Sequence, residues 1–347
     1  MVTARTVPRR AATTALTLGV PLLLLFACLL WAWSVRSELP QPIAVHWGLG
    51  RAPDGFGTLG GLLLIPAIMV PVFALGCWAL GFFGGTSAVT RRLAAGMATG
   101  LSTFLCVLTA AVLAGQRGLA DAAMADPIGP WIAAALAAAF LLAVAVAAVM
   151  PGDPIVAAET TVPTEAARLS GAERGRTGWT GTVAMPHLPL VGAVGGAITA
   201  IAVVITLVAP PSAPITWAVA GPLVLVAVLL VVTARWTVRV DAAGLTARSW
   251  ASIVRVRVPM VEVEWAEADT VDPLGDFGGW GFRIGWGSRI GAGETVGGLG
   301  TVGVIVRTGT ALVIHRSAGR TFVVTVDDAA TAAALLNALA ERSRTPA

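Results

Sequence analysis

LGGLLLIPAIMVPVFALGCWALGFF, residues 59–83, is an apolar run that contains no Asp, Glu, Arg or His. A helix needs about 20 mostly apolar residues to cross the hydrocarbon core of a bilayer. Stretches of the same kind, again without these four residue types, occur at 11–33, 93–115, 131–150, 188–208 and 215–232. The sequence therefore predicts a polytopic α-helical membrane protein with about six transmembrane helices.

The composition of the 347 residues agrees with this prediction. Hydrophobic residues make up 56% and charged residues only 12%, whereas an ordinary soluble domain has about 25% charged residues. Disorder is excluded over most of the chain, because disordered segments are poor in apolar residues. Cys28, Cys77 and Cys106 each lie in an apolar run, so we expect buried thiols and neither a disulfide framework nor a zinc site.

The arginines predict how the spans are oriented. An excess of arginine in short loops marks the cytoplasmic side of a membrane protein. One side carries eight arginines and the other side three, so we expect a multi-pass protein of the inner (plasma) membrane with both termini in the cytoplasm. The eight are Arg5, Arg9, Arg10, Arg91, Arg92, Arg168, Arg174 and Arg176, and the three are Arg36, Arg51 and Arg117.

The loop between the first two spans is the most distinctive stretch outside the apolar runs. It contains His46-Trp47 and then Pro53-Asp54-Gly55, a combination typical of a tight turn. Two interpretations remain open. His46, Trp47 and Asp54 are candidates for recognising a metal or a polar ligand outside the cell. Alternatively, His46 and Asp54 only organise the loop, because two ligands are too few for a metal site.

The motifs of this loop are Pro40-x-x-Ile43-x-x-His46-Trp47 and Pro53-Asp54-Gly55-Phe56-Gly57. They resemble domain-of-unknown-function family 1648, and the resemblance covers about residues 17–85. That family occurs in bacterial membrane proteins, including relatives of the SdpI-type immunity and signalling proteins. The rest of the chain does not look like the SdpI core, so the resemblance implies a membrane protein without assigning an immunity role.

Beyond residue 232 the pattern of apolar residues changes. Apolar and polar residues alternate, and this period of two predicts antiparallel strands with one buried face. Asp327 or Asp328 is expected to cap a final helix, whose apolar stripe would pack on the sheet. The strands are predicted at 236–240, 254–258, 261–265, 301–307, 310–316 and 320–326, and the stripe consists of Ala332, Leu335, Leu336 and Leu339.

About seven strands followed by one amphipathic helix resemble a pleckstrin-homology-like domain of the kind found in bacterial membrane proteins. The resemblance is architectural and carries no binding motif. The predicted organisation has four parts. These are a four-helix transmembrane part at 1–150, a cytoplasmic linker at 151–187, a transmembrane hairpin at 188–232 and the soluble domain at 233–343.

Catalytic and cofactor-binding patterns are absent from the sequence. His46 is predicted outside, whereas His187 and His315 are predicted inside, with His315 as an ordinary surface or edge residue. The chain has no H-E-x-x-H and no G-x-S-x-G, the signatures of zinc proteases and of many hydrolases. We therefore expect no enzyme activity and no cofactor.

The expected partners are membrane lipids, together with a protein partner or a second copy of the chain bound through 233–343. No nucleic-acid binding is expected, since the charges do not form a concentrated basic face. Arg255 and Arg257 are candidates for a cytoplasmic surface that meets anionic headgroups. Glu262 and Glu264 lie nearby in sequence and favour an ordinary solvated face instead.

Two functions fit these expectations. The first is a non-enzymatic integral membrane protein with a sensing, regulatory or scaffolding role. The alternative is a transporter or permease component for an uncharged or apolar substrate. Coupled transport is disfavoured, because ion and proton pathways are usually marked by ionisable residues within the spans.

Overall fold

A computed structural model describes residues 7–48, 52–158, 161–169, 178–185, 192–200, 231–252, 254–285 and 301–344, together with 224, 227 and 228. Within these ranges the chain has a helix bundle and a β-rich domain. The bundle is formed by the N-terminal residues. The β-rich domain follows it and ends in a helix.

Four described helices are long and apolar enough to cross a membrane. They confirm the prediction of a helical membrane protein. The predicted spans 188–208 and 215–232 lie largely outside the described residues, although 192–200 and 231–233 are helical. The four helices are α1 (Arg10–Ser34), α2 (Leu59–Phe83), α3 (Ala88–Ala114) and α4 (Gly129–Val149).

Helix α3 begins five residues before the predicted apolar span. The Ser87 hydroxyl accepts a hydrogen bond from the backbone N–H of Val89, which stabilises this earlier start. Arg91 and Arg92 therefore lie inside the helix. Farther along, a Cβ on Gly96 would be 3.3 Å from the carbonyl oxygen of Ala143, so glycine allows α3 and α4 to approach closely.

A small antiparallel hairpin connects α1 to α2. It consists of β1 (Ile43–Trp47) and β2 (Pro53–Gly57). The hairpin lies at the end of the bundle where α3 finishes, which we call the hairpin end. The opposite end, where α3 begins, is called the domain end because it contacts the β-rich domain.

The β-rich domain contains two sheets. The first is antiparallel, with the strand order β3-β4-β5-β6, and the second has the order β7-β10-β11-β9-β8. In the second sheet, β9 and β11 are parallel and the other neighbours are antiparallel. The strands are β3 (Trp179–Ala184), β4 (Arg235–Asp241), β5 (Gly244–Ser249), β6 (Arg255–Pro259), β7 (Val263–Val271), β8 (Gly281–Ile284), β9 (Thr301–Ile305), β10 (Gly309–Arg316) and β11 (Arg320–Thr325).

A short helix α5 (Pro273–Phe277) follows β7, and the final helix α6 (Ala329–Arg344) follows β11. The two sheets and α6 share one hydrophobic core that includes Trp236, Phe322 and Leu336. The predicted stripe of α6 is buried. Asp328 precedes the helix and accepts a hydrogen bond from the N–H of Thr331. Hydrogen bonding to Thr331, chiefly to its side chain, lowers the pKa of the Asp328 carboxyl group.

The segment expected to be a solvated linker contributes to the β-rich domain. Its residues 179–184 form β3, which pairs with β4 along its whole length. Leu169 donates a backbone hydrogen bond to Ala334 in α6, and Arg168 forms an ion pair with Glu341. The alternation of Trp179 and Val183 with polar residues is too short to predict this strand from the segment alone. Residues 161–169 and 179–184 therefore already belong to the β-rich domain, although they precede the apolar segment 188–232 in the sequence.

Asn337 connects three parts of this domain. Its Oδ1 accepts from the N–H of Ala266 at 2.7 Å, and its Nδ2 donates to the carbonyl oxygens of Ala266 and Ala167 at 2.8 and 2.9 Å. The side chain is fully buried. It thereby satisfies two backbone groups of β7 and fixes residues 161–169 against α6.

We predict that Asn337→Ala destabilises the β-rich domain by about 2–4 kcal/mol, because buried polar groups of Ala266 and Ala167 lose their partner. Thermal unfolding of the purified chain in detergent measures the change. Arg342→Ala is the control, since Arg342 is exposed on the same helix and should change stability little. Equal midpoints for the two variants would contradict the structural role of Asn337.

Candidate functional site

The hairpin brings His46 and Asp54 together. His46 lies opposite Gly55 in the register, and its Nδ1 is 2.6 Å from Oδ1 of Asp54. Both side chains face solvent, with 70% and 54% of their surfaces exposed. No cluster of three or more metal-ligating side chains occurs among the described residues.

Trp47 anchors the hairpin. Its ring packs in a small apolar cluster with Ala44, Ala122 and Ala125. The indole Nε1 is buried and has no hydrogen-bond partner among the residues described, which do not include 49–51. Of the three residues singled out in the sequence, two thus face solvent and the third packs against the loop that follows α3.

Gln116 is a functional candidate that sequence reasoning missed. It lies just beyond the end of α3 and is fully buried. Its Oε1 accepts from the N–H of Ala44 at 2.7 Å, while its Nε2 donates to the carbonyl of Ala44 at 2.9 Å. This amide therefore holds both backbone groups of one β1 residue and ties the hairpin to α3. The only signal in the sequence is a polar residue directly after an apolar span.

At the domain end, Arg91 is a fully buried arginine. Its Nη2 is 3.0 Å from Oδ1 of Asp153, which follows α4, and its Nη1 donates to the carbonyl of Gly85 at 2.6 Å. A Cβ on Gly85 would lie 2.0 Å from the carbonyl oxygen of Gly81 and 2.6 Å from Cγ of Arg91. Only glycine therefore fits beside this guanidinium.

The ion pairs continue from Arg91 into the β-rich domain. Oδ2 of Asp153 is 3.5 Å from Nη1 of Arg320, and Nη2 of Arg320 is 3.5 Å from Oε1 of Glu262. The other oxygen of Glu262 pairs with Arg316. We call these five side chains the junction cluster: Arg91, Asp153, Glu262, Arg316 and Arg320.

The β10–β11 turn positions two members of this cluster. The tight turn at Ser317–Gly319, in which Ala318 has a φ of 61°, places Arg316 directly opposite Arg320. Both guanidinium groups thereby reach Glu262. Burial lowers the pKa of Arg316, and the contact with Glu262 opposes this shift.

The junction cluster contains three positive and two negative side chains, and each is at most 17% exposed. Backbone hydrogen bonds support it: the N–H of Ala158 donates to the carbonyl of Val261 at 2.8 Å. Removing one member of a buried ion pair leaves an uncompensated charge, which costs several kcal/mol. The cluster therefore connects the domain to the bundle through buried ion pairs.

Arg255 and Arg257 occupy exposed positions on β6, an edge strand of the first sheet. Glu262 and Glu264 do not neutralise them. Glu262 is buried in the junction cluster, and Glu264 lies beside Arg344, where it partly offsets the lowering of the Arg344 pKa by burial. Both interpretations of Arg255 and Arg257, a surface that meets headgroups and an ordinary solvated face, therefore stay predictions.

His315 differs from its expected place. It lies on β10, an interior strand between β7 and β11, and only 17% of its side chain is exposed. Its ring stacks on Trp265 at a centroid distance of 3.9 Å, and Nε2 is 3.0 Å from Oε1 of Glu267. The directly opposed register of His315 and Trp265 produces this contact. The expected position on a strand is therefore confirmed, whereas the expectation of an edge strand is wrong.

Comparison with known proteins identifies one segment of the chain. Residues 22–70 match the family model DUF1648, a domain of unknown function. The match extends from within α1 through the hairpin into α2, and it confirms the resemblance seen in the loop motifs. No curated protein and no solved structure matches the chain.

We predict that Asp153→Asn destabilises the full chain by about 3 kcal/mol, because Arg91 loses its only described carboxylate partner. Limited proteolysis should also cleave residues 151–158 faster. Asp126→Asn is the matched control, since Asp126 is exposed at the hairpin end and its neutralisation should cost little. If both variants resist protease and heat equally, the junction cluster does not hold the domain in place.

Proposed function

We propose that the protein is a non-enzymatic integral membrane protein with a sensing or regulatory role, in which α3 couples the hairpin to the β-rich domain. One observation carries this proposal. Helix α3 is joined to buried polar contacts at both ends, through Arg91 with Asp153 at its start and through Gln116, just beyond its last residue, with Ala44. A helix of 27 residues is about 40 Å long.

Helix α3 suits this role because it is the most buried of the four spanning helices. A ligand that displaces the hairpin would move Ala44 and thereby the C-terminal end of α3. Packed helices shift as units rather than deform continuously. The movement would then reach Arg91, whose ion pair with Asp153 is part of the junction cluster.

The hairpin offers the contact point for such a ligand. His46 and Asp54 are exposed and paired, while Trp47 and Gln116 fix the strands beneath them. The arginine excess in the loops supports placing this hairpin outside the cell. By the same argument, both termini and the β-rich domain lie in the cytoplasm of a plasma-membrane protein with six spans.

The topology of the β-rich domain supports a pleckstrin-homology-like fold. The antiparallel sheet β3–β6, the antiparallel strands β7, β10 and β11, and the final helix α6 account for seven strands and one helix. In this interpretation, α5, β8 and β9 are an addition, and the transmembrane hairpin at 188–232 is inserted between the first two strands. A protein partner or a second copy would bind through this domain.

A transporter or permease component for an uncharged or apolar substrate is the alternative. It is favoured by hydroxyl groups buried along α3, since Oγ1 of Thr99 has no hydrogen-bond partner within the described part of the chain. Neighbouring Ser102 and Thr103 instead donate to carbonyls of their own helix. Flux of a small neutral solute into liposomes that contain the full chain would favour this alternative and argue against a purely sensory role.

We predict that Gln116→Ala accelerates hydrogen exchange both in the hairpin, residues 43–57, and across the bundle in residues 151–158 and 316–320. The first effect follows from freeing the backbone of Ala44, and the second follows from coupling through α3. Mass spectrometry of the full chain in nanodiscs measures both regions in one experiment.

Arg117→Ala provides the control, because the pair of Arg117 with Glu38 is about half exposed and such pairs contribute little. Faster exchange in the hairpin together with unchanged exchange at the junction would reject coupling through α3. Unchanged exchange in both regions would reject the role of Gln116 itself.

A further inference from the structure

The outward face of the first sheet is strongly basic. Cross-strand register aligns Arg239 with Thr246 and Arg257, and it aligns Thr237 with Arg248 and Arg255. Residues aligned in this way, and those two apart on a strand, project from the same face. We call the resulting surface the basic face; its arginines are Arg235, Arg239, Arg248, Arg255 and Arg257, all exposed.

Acidic residues compensate little of this charge. Asp241 forms an ion pair with Arg239 at 3.0 Å, and the described strands β3–β6 contain no other carboxylate. Arg248 lies directly opposite Arg255, and like charges in that position destabilise a sheet. An anionic surface placed against this face would relieve that repulsion.

The first sheet is joined along the chain to the domain end of the bundle. Strand β6 leads into Val261 and Glu262, which contact Ala158 and the junction cluster at the domain end of the bundle. Arg257 is four residues before Val261, at most about 13 Å along an extended chain. The other end of the sheet is also close to an apolar segment, because β4 begins just after the helical residues 231–233. Electrostatic attraction to a charged surface extends over the Debye length of about 8–10 Å, so binding to lipid headgroups requires this face to lie at the bilayer surface.

We propose that the basic face binds the anionic headgroups of the bilayer that surrounds the bundle. Guanidinium groups form paired hydrogen bonds with phosphate oxygens, and a flat face with two rows of arginines can contact several headgroups at once. Each arginine near an anionic surface strengthens binding about five-fold. The binding is independent of the coupling through α3, since it concerns a different surface of the domain.

Chemical footprinting of the full chain in nanodiscs tests this proposal. Phenylglyoxal modifies exposed arginines, and mass spectrometry gives the rate for each one. We expect Arg248, Arg255 and Arg257 to react at least about five-fold more slowly with anionic lipid than with phosphatidylcholine alone. Arg342, which is exposed on α6, is the internal control and should react equally in both. The protection should disappear at about 0.5 M salt, where screening is strong.

A charge variant sharpens the test. Arg255→Gln with Arg257→Gln should abolish most of the protection of Arg248, whereas Arg255→Lys with Arg257→Lys should keep it. Equal reaction rates in the two lipid mixtures, or protection that salt does not reverse, would overturn the proposal. So would the same protection in phosphatidylcholine nanodiscs when inorganic phosphate or an oligonucleotide is added, since the ligand would then be a soluble anion.

Discussion

The buried guanidinium of Arg91 is the interaction on which the relation between the two halves of the protein depends. A charge with no exposed surface at the start of a membrane-spanning helix needs a carboxylate partner close by. Asp153 supplies that partner from the segment after α4, and Arg320 approaches the same carboxylate from the β-rich domain. The bundle and the domain thus share the carboxylate of Asp153, which pairs with Arg91 on one side and with Arg320 on the other.

The residues between α4 and β4 contact the β-rich domain at three places. Residues 151–158 carry Asp153 and the backbone donor of Ala158, residues 161–169 pack under α6 through Asn337, and residues 179–184 complete the first sheet. A solvated linker would make none of these contacts, so this segment is part of the folded structure. The β-rich domain is therefore discontinuous in sequence, with the apolar segment 188–232 lying between its first two strands.

Much of this architecture follows from sequence patterns, because the patterns are local. Apolar runs predict the four described helices, and alternation predicts β4, β6 and β7. The further strands predicted at 301–307, 310–316 and 320–326 correspond to β9, β10 and β11, and Asp327 or Asp328 is expected to mark the start of α6. The groups that sequence reasoning missed depend on distant partners: Gln116 meets Ala44, Asn337 meets Ala266, and Arg91 meets Asp153. An isolated Gln, Asn or Arg beside an apolar run carries no periodic signal, so only the packed structure identifies its role. His46 and Asp54 were found because a turn sequence brings them together within one loop.

The polar contacts of the bundle are concentrated at the two ends of α3. The interiors of the spans carry no carboxylate and no imidazole, so directional contacts are concentrated where helices leave the apolar region. At the hairpin end the amide of Gln116 makes such a contact, and at the domain end the guanidinium of Arg91 makes another. Between them α3 offers close packing, with Gly96 fitted against Ala143. Close packing resists local adjustment, so in the proposed coupling a shift imposed at one polar end would be passed along the helix.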